Sequence, residues 1–232
     1  TEPDVLNHLK NLAQKNQCGD ETSSFLGGGA YRHLIPTAVT ELASRSEFLT
    51  PYTPYQPEIA QGTLQATFEY QSMICRIFGM EVSNASLYDG STALGEAALM
   101  ALRVGKQRKT LVVCETLHPE YQEVLHTLLA NNHAQLVTLP FEGGRFNRGA
   151  LRQYLHDDLA AVIVQFPNFF GIVEEYEEIA QQVHDVGGLL ISATPEPISL
   201  GFFAPPGECG ADIAVGEGLS FGIPTTFGGP AL

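Results

Sequence analysis

Five short apolar runs recur along the second half of the chain at nearly constant spacing. They are TLVVC from Thr110, AQLVTLP from Ala134, AAVIVQF from Ala160, GLLIS from Gly188 and ADIAV from Ala211. Their starts lie 24, 26, 28 and 23 residues apart, which is the length that a strand, a helix and two short turns occupy. The runs do not alternate strictly, as is typical of strands covered on both faces. We therefore predict an α/β fold, a mainly parallel sheet with helices on both faces and right-handed crossovers.

The segments around these runs have helical periodicity. Residues 119–130 and 174–186 each carry acidic residues early and apolar residues at helical spacing, and the second segment ends at two glycines. In the first hundred residues, the apolar positions predict one helix over residues 58–78 that ends at Gly79 and a second helix over about residues 92–104.

The N-terminal part of the chain is organised differently from the rest. Residues 49–62 (LTPYTPYQPEIAQG) contain Pro51, Pro54 and Pro57, which exclude regular helix before Glu58. We interpret residues 1–85 as N-terminal helices with a proline-rich arm, and residues 86–232 as an α/β large domain. The final residues, TTFGGPAL, are typical of the start of a further strand. We therefore expect the large domain to be incomplete at its C-terminus and the chain to be a fragment.

The charge of the chain disfavours nucleic acids and membranes as partners. It has 12 Lys and Arg against 26 Asp and Glu, a formal net charge of −14, without a local run of basic residues. No apolar stretch approaches the roughly 18 residues of a membrane span, and the N-terminus lacks a signal-peptide pattern. The four cysteines form no CxxC pair, and no histidine pair has an acidic partner at metal-ligand spacing. We expect a cytoplasmic protein with reduced thiols and no metal site.

A candidate phosphate site lies within residues 87–102 (LYDGSTALGEAALMAL). Gly90, Ser91 and Thr92, preceded by Asp89, are placed at the start of a predicted helix, where free N–H groups and the helix dipole favour an anion. The alternative is that Ser91 or Thr92 only caps the helix, while Glu96 supplies a negative charge that competes with a ligand.

A hydrolase is a rival interpretation. Residues 218–222 (GLSFG) match the G-x-S-x-G pattern of a nucleophile elbow after a predicted strand. The match is weak because an elbow requires a helix directly after the serine, whereas Ser220 is followed by a proline and glycine-rich stretch. The hydrolase order also requires a histidine after the serine, and all seven histidines precede it.

Two loops carry aromatic and charged side chains and are candidate binding segments. Residues 24–36 (SFLGGGAYRHLIP) contain Tyr31 and His33, and the proline-rich arm contains Tyr52, Tyr55, Gln56 and Glu58. Such side chains on loops favour a binding site. Tyrosines are also common where an arm packs on a partner subunit, so a binding site and an interface both stay open.

Four long segments carry a family resemblance: FLGGGAYRHLIP, LTPYTPYQPEIAQGTLQATFEYQ, NASLYDGSTALGEA and PPGECGADIAVGEGLSFGIPTTFGGP. These segments are spread along the chain from residue 25 to residue 230, and in them the chain resembles the glycine cleavage system P-protein family in its alpha-subunit branch. The resemblance implies the large domain of pyridoxal-phosphate enzymes of fold type I, which matches the predicted sheet. Chains of that family extend beyond both ends of this one, which agrees with a fragment.

This chain lacks two residues that the enzymes of the resembled fold use to bind their cofactor. Enzymes of this fold need a lysine after the last parallel strand to hold the cofactor covalently, and an Asp at the end of the preceding strand. Here Ser220 falls at about the place of the lysine, and Ala193 and Thr194 stand where the Asp is expected. The four lysines all lie earlier in the chain: Lys10, Lys15, Lys106 and Lys109. We expect no covalent pyridoxal phosphate in this chain, and the resemblance implies that a catalytic beta subunit holds it.

The implied reaction is decarboxylation of glycine, with transfer of the aminomethyl group to the lipoyl arm of the H-protein, by a hetero-oligomer of alpha and beta subunits. The alpha chain, inactive alone, would complete the site of the beta subunit. The residues implied in that site are Tyr52, Tyr55, Gln56, Glu58, Tyr31 and His33, with Gly90, Ser91 and Thr92 as a relic of a phosphate loop. The alternative is a purely structural partner that stabilises the beta chain. The missing lysine agrees with either. We also expect the fragment to self-associate through an unpaired sheet edge.

Overall fold

A computed structural model describes residues 1–16, 23, 31–49 and 53–224. The chain forms two units, Thr1–Arg32 and His33–Leu232. The first unit contains helix α1 (Glu2–Ala13), whose start is stabilised because the amino and hydroxyl groups of Thr1 donate to the Asp4 carboxylate. The boundary after residue 85 stays a prediction, and the segment TTFGGPAL lies outside the described residues.

The second unit begins with short helices. Helices α2 (Thr37–Ala43) and α3 (Ser46–Leu49) and a 3-10 turn (Pro57–Ile59) precede the long helix α4 (Gln61–Phe78). The helix predicted over residues 58–78 is confirmed apart from its first turn, which is 3-10 and is separated from α4 by Ala60 at φ −113°. Helix α4 ends at Gly79, whose φ of +67° is accessible to glycine at little cost.

The described residues form a sheet of five strands: β1 (Thr110–Cys114), β2 (Gln135–Leu139), β3 (Leu159–Gln165), β4 (Leu189–Thr194) and β5 (Ile213–Gly216). Their order is β2-β1-β3-β4-β5, and every neighbouring pair is parallel. Each apolar run of the sequence forms one strand, so the predicted parallel sheet is confirmed.

In the part of the chain that the structure describes, four further helices follow α4: α5 (Gly90–Val104), α6 (Pro119–Leu129), α7 (Arg148–Leu151) and α8 (Tyr176–Asp185). Three further 3-10 turns span Arg152–Tyr154, Pro197–Gly201 and Leu219–Phe221. Within the described ranges, none of the helices is both long and apolar enough to cross a membrane.

Alternate strand residues pack on opposite faces of the sheet. Leu111 lies in one core with Leu94 of α5 and Leu125 of α6, whereas its neighbour Val112 lies in a second core with Ile179 of α8. All five are fully buried or nearly so. Helices therefore cover both faces, which explains why the strands have no polar side in the sequence.

Strand β5 has a neighbouring strand on one side only among the described residues. A cavity of about 1120 Å³ lies beside it, between α4, α5 and β5. Its walls include the apolar side chains of Ile74, Phe78 and Met100, and the carboxylate residues Asp89 and Glu217 also line it. This edge therefore offers both an unpaired backbone and apolar surface.

Candidate functional site

The carboxyl ends of the parallel strands meet at one edge of the sheet, where ligands of open α/β folds commonly bind. Polar residues stand at or just after four strand ends. His118 follows β1, Gln165 ends β3, Glu196 follows β4 and Glu217 directly follows β5. The N-terminus of α5 reaches the same edge, because Gly90 contacts Glu217. This edge is the candidate functional site.

Asp89 caps helix α5. Its Oδ1 accepts hydrogen bonds from the backbone N–H of Thr92 at 2.7 Å and from the Ser91 hydroxyl at 2.8 Å, and the Thr92 hydroxyl accepts from the Asp89 N–H. Partial burial acts to raise the pKa of Asp89, but the bonds from Thr92 and Ser91 outweigh it and lower that pKa overall. The cap is thus Asp89, with Thr92 bonding back to it, and not Ser91 or Thr92 alone.

Glu96 does not supply the competing negative charge that the sequence suggested. It lies beyond the first turn of α5, is exposed, and stands 3.9 Å from Arg103. The carboxylates at the start of the helix are those of Asp89 and Glu217.

Glu217 binds the first amide of α5. Its Oε1 accepts from the Gly90 N–H at 2.9 Å and from the Tyr121 hydroxyl at 2.8 Å. Burial raises the pKa of Glu217, against the effect of these two bonds. Burial, together with the negative charge of Glu217, raises the pKa of Tyr121. The Tyr121 hydroxyl is therefore protonated and acts as a donor.

Only glycine fits at position 90 in this arrangement. A Cβ there would collide with the Tyr121 hydroxyl and lie 3.0 Å from Oε1 of Glu217. The predicted relic residue Gly90 is therefore required by the close approach of two side chains of the same chain.

His118 is held rigidly beside this cluster. Its backbone N–H donates to Oε1 of Gln165 at 2.7 Å, and its Nδ1 accepts from the Glu120 N–H at 3.2 Å at the start of α6. The imidazole ring packs against Tyr121 and edge-on against Phe169, with centroids 5.4 Å and 5.2 Å away. With Nδ1 as acceptor, the neutral ring carries its proton on Nε2.

His33, a predicted site residue, also reaches this edge. Its Nε2 lies 3.1 Å from the Glu196 carboxylate, just after β4. Nearby, the Thr194 hydroxyl and the other Glu196 oxygen are buried without a hydrogen-bond partner within the described residues. The Ser220 hydroxyl is equally buried and unpartnered, on the Leu219–Phe221 turn. A buried serine on a 3-10 turn does not form the exposed nucleophile elbow of a hydrolase.

The remaining predicted residues lie elsewhere in the chain. Gln56 and Glu58 lie at the 3-10 turn before α4, where both are exposed. Tyr55 directly precedes them and is 75% exposed. Tyr31 is exposed in the first unit. Tyr52 lies outside the described residues.

Sequence reasoning missed Glu217, Tyr121 and Glu196 as members of this edge. Glu217 follows the run ADIAV by two residues, and Glu196 follows the run GLLIS by four. Their position after a strand could have identified both residues, because the carboxyl ends of the strands in a parallel sheet lie at one edge. Tyr121 had no such signal, since it resembles any core residue of an amphipathic helix.

The fold defines a class of protein. The cysteine desulfurase CsdA of Escherichia coli superposes with a TM-score of 0.62 over 83% of this chain and 50% of its own, at 16% sequence identity. At that identity the likeness shows the fold alone: it is that of the large domain of pyridoxal-phosphate enzymes of fold type I.

The family follows from closer matches. The chain belongs to the glycine cleavage system P-protein family, whose model matches residues 1–232. It is 49% identical over 232 residues to a probable glycine dehydrogenase (decarboxylating) subunit 1 of Desulfitobacterium hafniense, and 51% identical to that of Desulforamulus reducens. A crystal structure of glycine decarboxylase (P-protein) of the glycine cleavage system, in inhibitor-bound form, matches with a TM-score of 0.89 at 48% identity, over 99% of this chain.

The chain spans about half the length of the curated relatives it matches, 52% in both bacteria, and 51% of the P-protein crystal structure. The fold and family predictions are thus confirmed.

The residues at the carboxyl edge do not match what covalently bound pyridoxal phosphate requires. Lys106 and Lys109 lie between the end of α5 and the start of β1, at the opposite, amino edge of the sheet. Lys10 and Lys15 belong to the first unit. At the end of β4 the side chains of Ala193 and Thr194 are uncharged, so a pyridine nitrogen would meet no carboxylate from that strand.

Proposed function

We propose that this chain is part of the alpha subunit of a glycine-decarboxylating P-protein, which completes the active site of a catalytic beta subunit. The observation that carries this proposal is 49–51% identity, over all 232 residues, to subunit 1 relatives from two bacteria. The assembled protein decarboxylates glycine and transfers the aminomethyl group to the lipoyl arm of the H-protein, and we expect it in the cytoplasm. Pyridoxal phosphate, held covalently by the beta subunit, supplies the electron sink.

The proline-rich arm is the part of this chain that we assign to the partner's site. Tyr55 and Ile59 are 75% and 78% exposed, so an aromatic and an apolar side chain present surface to solvent that could pack on another chain. Prolines stiffen the segment, so little conformational entropy is lost when it is ordered against a partner. Gln56 and Glu58 on the same turn offer hydrogen-bonding groups to a polar ligand, as does Tyr52 by its position in the arm.

His33 and Tyr31 form the second contribution. The Glu196 carboxylate holds His33 at the end of β4, so its position is set by the sheet and not by its own loop. Tyr31, two residues earlier, is exposed and is assigned to contact a neighbouring subunit. In this role both residues orient groups at the subunit boundary and help to exclude water.

A structural partner subunit is the second candidate function. It is favoured by the carboxyl edge itself, where Glu217 and Asp89 occupy the start of α5 and no lysine is present. In that case the arm contributes packing to the interface and no group to the chemistry.

The test uses the full-length alpha subunit, the beta subunit and the lipoylated H-protein, with exchange of labelled bicarbonate into glycine as the assay. Tyr55→Phe removes one hydroxyl, and losing a hydrogen bond to a polar cofactor or substrate group should lower the rate about five- to a hundred-fold. Tyr88→Phe is the matched control, because Tyr88 is 81% exposed and lies outside the arm.

Assembly is measured on the same samples by sedimentation. A reduced rate with Tyr55→Phe in a fully assembled complex supports site completion. An unchanged rate for both Tyr55→Phe and Glu58→Gln, with weaker assembly for Ile59→Lys, supports the structural partner instead.

A further inference from the structure

The start of helix α5 is filled by carboxylates of the chain itself. The Gly90 N–H donates to Glu217, and the Thr92 N–H donates to Asp89. The Ser91 backbone amide also stabilises the Asp89 charge. Two of the first three amides of the helix, those of Gly90 and Thr92, are thus already bound to carboxylates, whereas in an open helix N-terminus such amides can receive a phosphate.

The Glu217 carboxylate is a fixed part of the fold. It stands on the residue directly after β5, and the Tyr121 hydroxyl donates to the same oxygen that binds Gly90. Glycine at position 90 allows both side chains to approach the helix backbone. Displacing Glu217 by a ligand would break two hydrogen bonds and leave a partly buried carboxylate without its donors.

The negative charges at the start of α5 also oppose the binding of a phosphate. A phosphate group placed at these amides would lie beside both Asp89 and Glu217, and the partly buried setting strengthens repulsion between like charges. His118 is a basic side chain close enough to Glu217 to favour its negative charge, and its Nδ1 accepts a hydrogen bond from the Glu120 N–H.

We propose that Glu217, together with Asp89, acts as a built-in anion that excludes the phosphate of pyridoxal phosphate from this chain. Glu217 is therefore a specificity-determining residue. Its carboxylate occupies the place where a cofactor-binding fold of this type binds phosphate, and it forms a structural contact there instead. If the proposed function holds, this exclusion also implies that the beta subunit binds the cofactor of the complex. The exclusion itself concerns this chain alone.

The experiment measures binding of inorganic phosphate, and separately of pyridoxal phosphate, to the chain by calorimetry. Glu217→Ala vacates the position at Gly90, whereas Glu217→Gln keeps an oxygen there without the charge. Asp89→Ser removes the second charge and keeps a good N-cap residue. Both carboxylate residues line the cavity beside β5, so the vacated amides are reachable from solvent.

Wild-type chain should show no saturable phosphate binding. We expect binding to improve from Glu217→Gln to Glu217→Ala and further to the double variant Asp89→Ser/Glu217→Ala, with a total gain of at least about tenfold in affinity. Glu123→Gln is the control, because this exposed carboxylate lies on α6 and does not line the cavity, so its loss should leave binding unchanged.

Thermal unfolding verifies that each variant is folded, and the single variants keep the test decisive if the double variant is not. The proposal is overturned if wild-type chain binds phosphate as well as Glu217→Ala does. It is equally overturned if the folded variants bind no better than wild type. Neither result depends on the exchange assay, so failure here is distinct from failure of the proposed function.

Discussion

The backbone N–H of Gly90 donates to the carboxylate of Glu217 at 2.9 Å, although the two residues are 127 positions apart in the chain. This bond joins the start of α5 to the carboxyl end of β5. Tyr121, on α6, donates to the same oxygen. Three elements are therefore held together by one acceptor, and disturbing it has consequences for stability as well as for ligand binding.

Gly90→Ala should destabilise the chain by about 1–3 kcal/mol, because the added Cβ forces Tyr121 and Glu217 away from the helix backbone and breaks their bonds. Gly62→Ala, the matched control in α4, has nothing within 4 Å of the added Cβ. It should be neutral or stabilise the chain by up to about 1 kcal/mol. Urea unfolding measures both, and a Gly90→Ala chain as stable as wild type would contradict the described contacts.

Glu217 should make the chain less stable as pH rises. Burial raises its pKa above the ordinary value of 4.5, so the folded chain holds this proton more tightly than the unfolded chain does. The contribution to stability is fully present below pH 4.5 and is lost as pH rises through the pKa of the folded state. Glu217→Gln has no such proton.

The measurement is urea unfolding of wild type and Glu217→Gln from pH 4 to pH 8. The free energy of unfolding of wild type, relative to the variant, should fall across the lower part of this range. Glu96→Gln, which changes an exposed carboxylate, is the control. A difference between wild type and Glu217→Gln that stays constant with pH would show that Glu217 titrates normally.

Pyridoxal phosphate should not attach to a specific lysine of this chain. The lysines of the second unit, Lys106 and Lys109, lie at the amino edge of the sheet, so this unit places no lysine at the carboxyl edge. Borohydride reduction with excess cofactor, followed by intact-mass analysis and peptide mapping, should show only scattered substoichiometric labelling. One stoichiometric adduct at a single lysine would refute this expectation.

The fragment should self-associate through the edge of β5 and the apolar cavity beside it. Met100 lines that cavity and is 50% exposed, so Met100→Lys should shift the chain towards monomer. Val104→Lys is the matched control on the same helix, because Val104 is 62% exposed and does not line the cavity. Sedimentation at several concentrations distinguishes them. A wild-type chain that is monomeric at every concentration would count against association through this edge.

Local pattern was sufficient for the secondary structure. The five apolar runs became five parallel strands because a strand covered on both faces needs apolar residues on both sides. The end of α4 at Gly79 was equally readable, since a left-handed C-terminal residue favours glycine. The start of that helix could not be predicted in the same way, because the interruption at Ala60 depends on backbone geometry that no particular residue type indicates.

The candidate site was only partly readable. The sequence placed Gly90, Ser91 and Thr92 at a helix start and named His33, and the structure brings all four to the carboxyl edge. It named the wrong carboxylate, Glu96, as the charge that competes with a ligand there. The role of the arm stays a prediction.

By itself, the sequence determined the parallel α/β fold and the family. The fold follows from local periodicity, and the family follows from long contiguous segments. Only the tertiary structure decided which side chain occupies the start of α5. The contacts of Glu217 with Gly90 and Tyr121 span 127 and 96 residues. The packing of strands and helices determines which residues form such contacts. Residues this far apart in the sequence leave no local pattern from which the contact could be predicted.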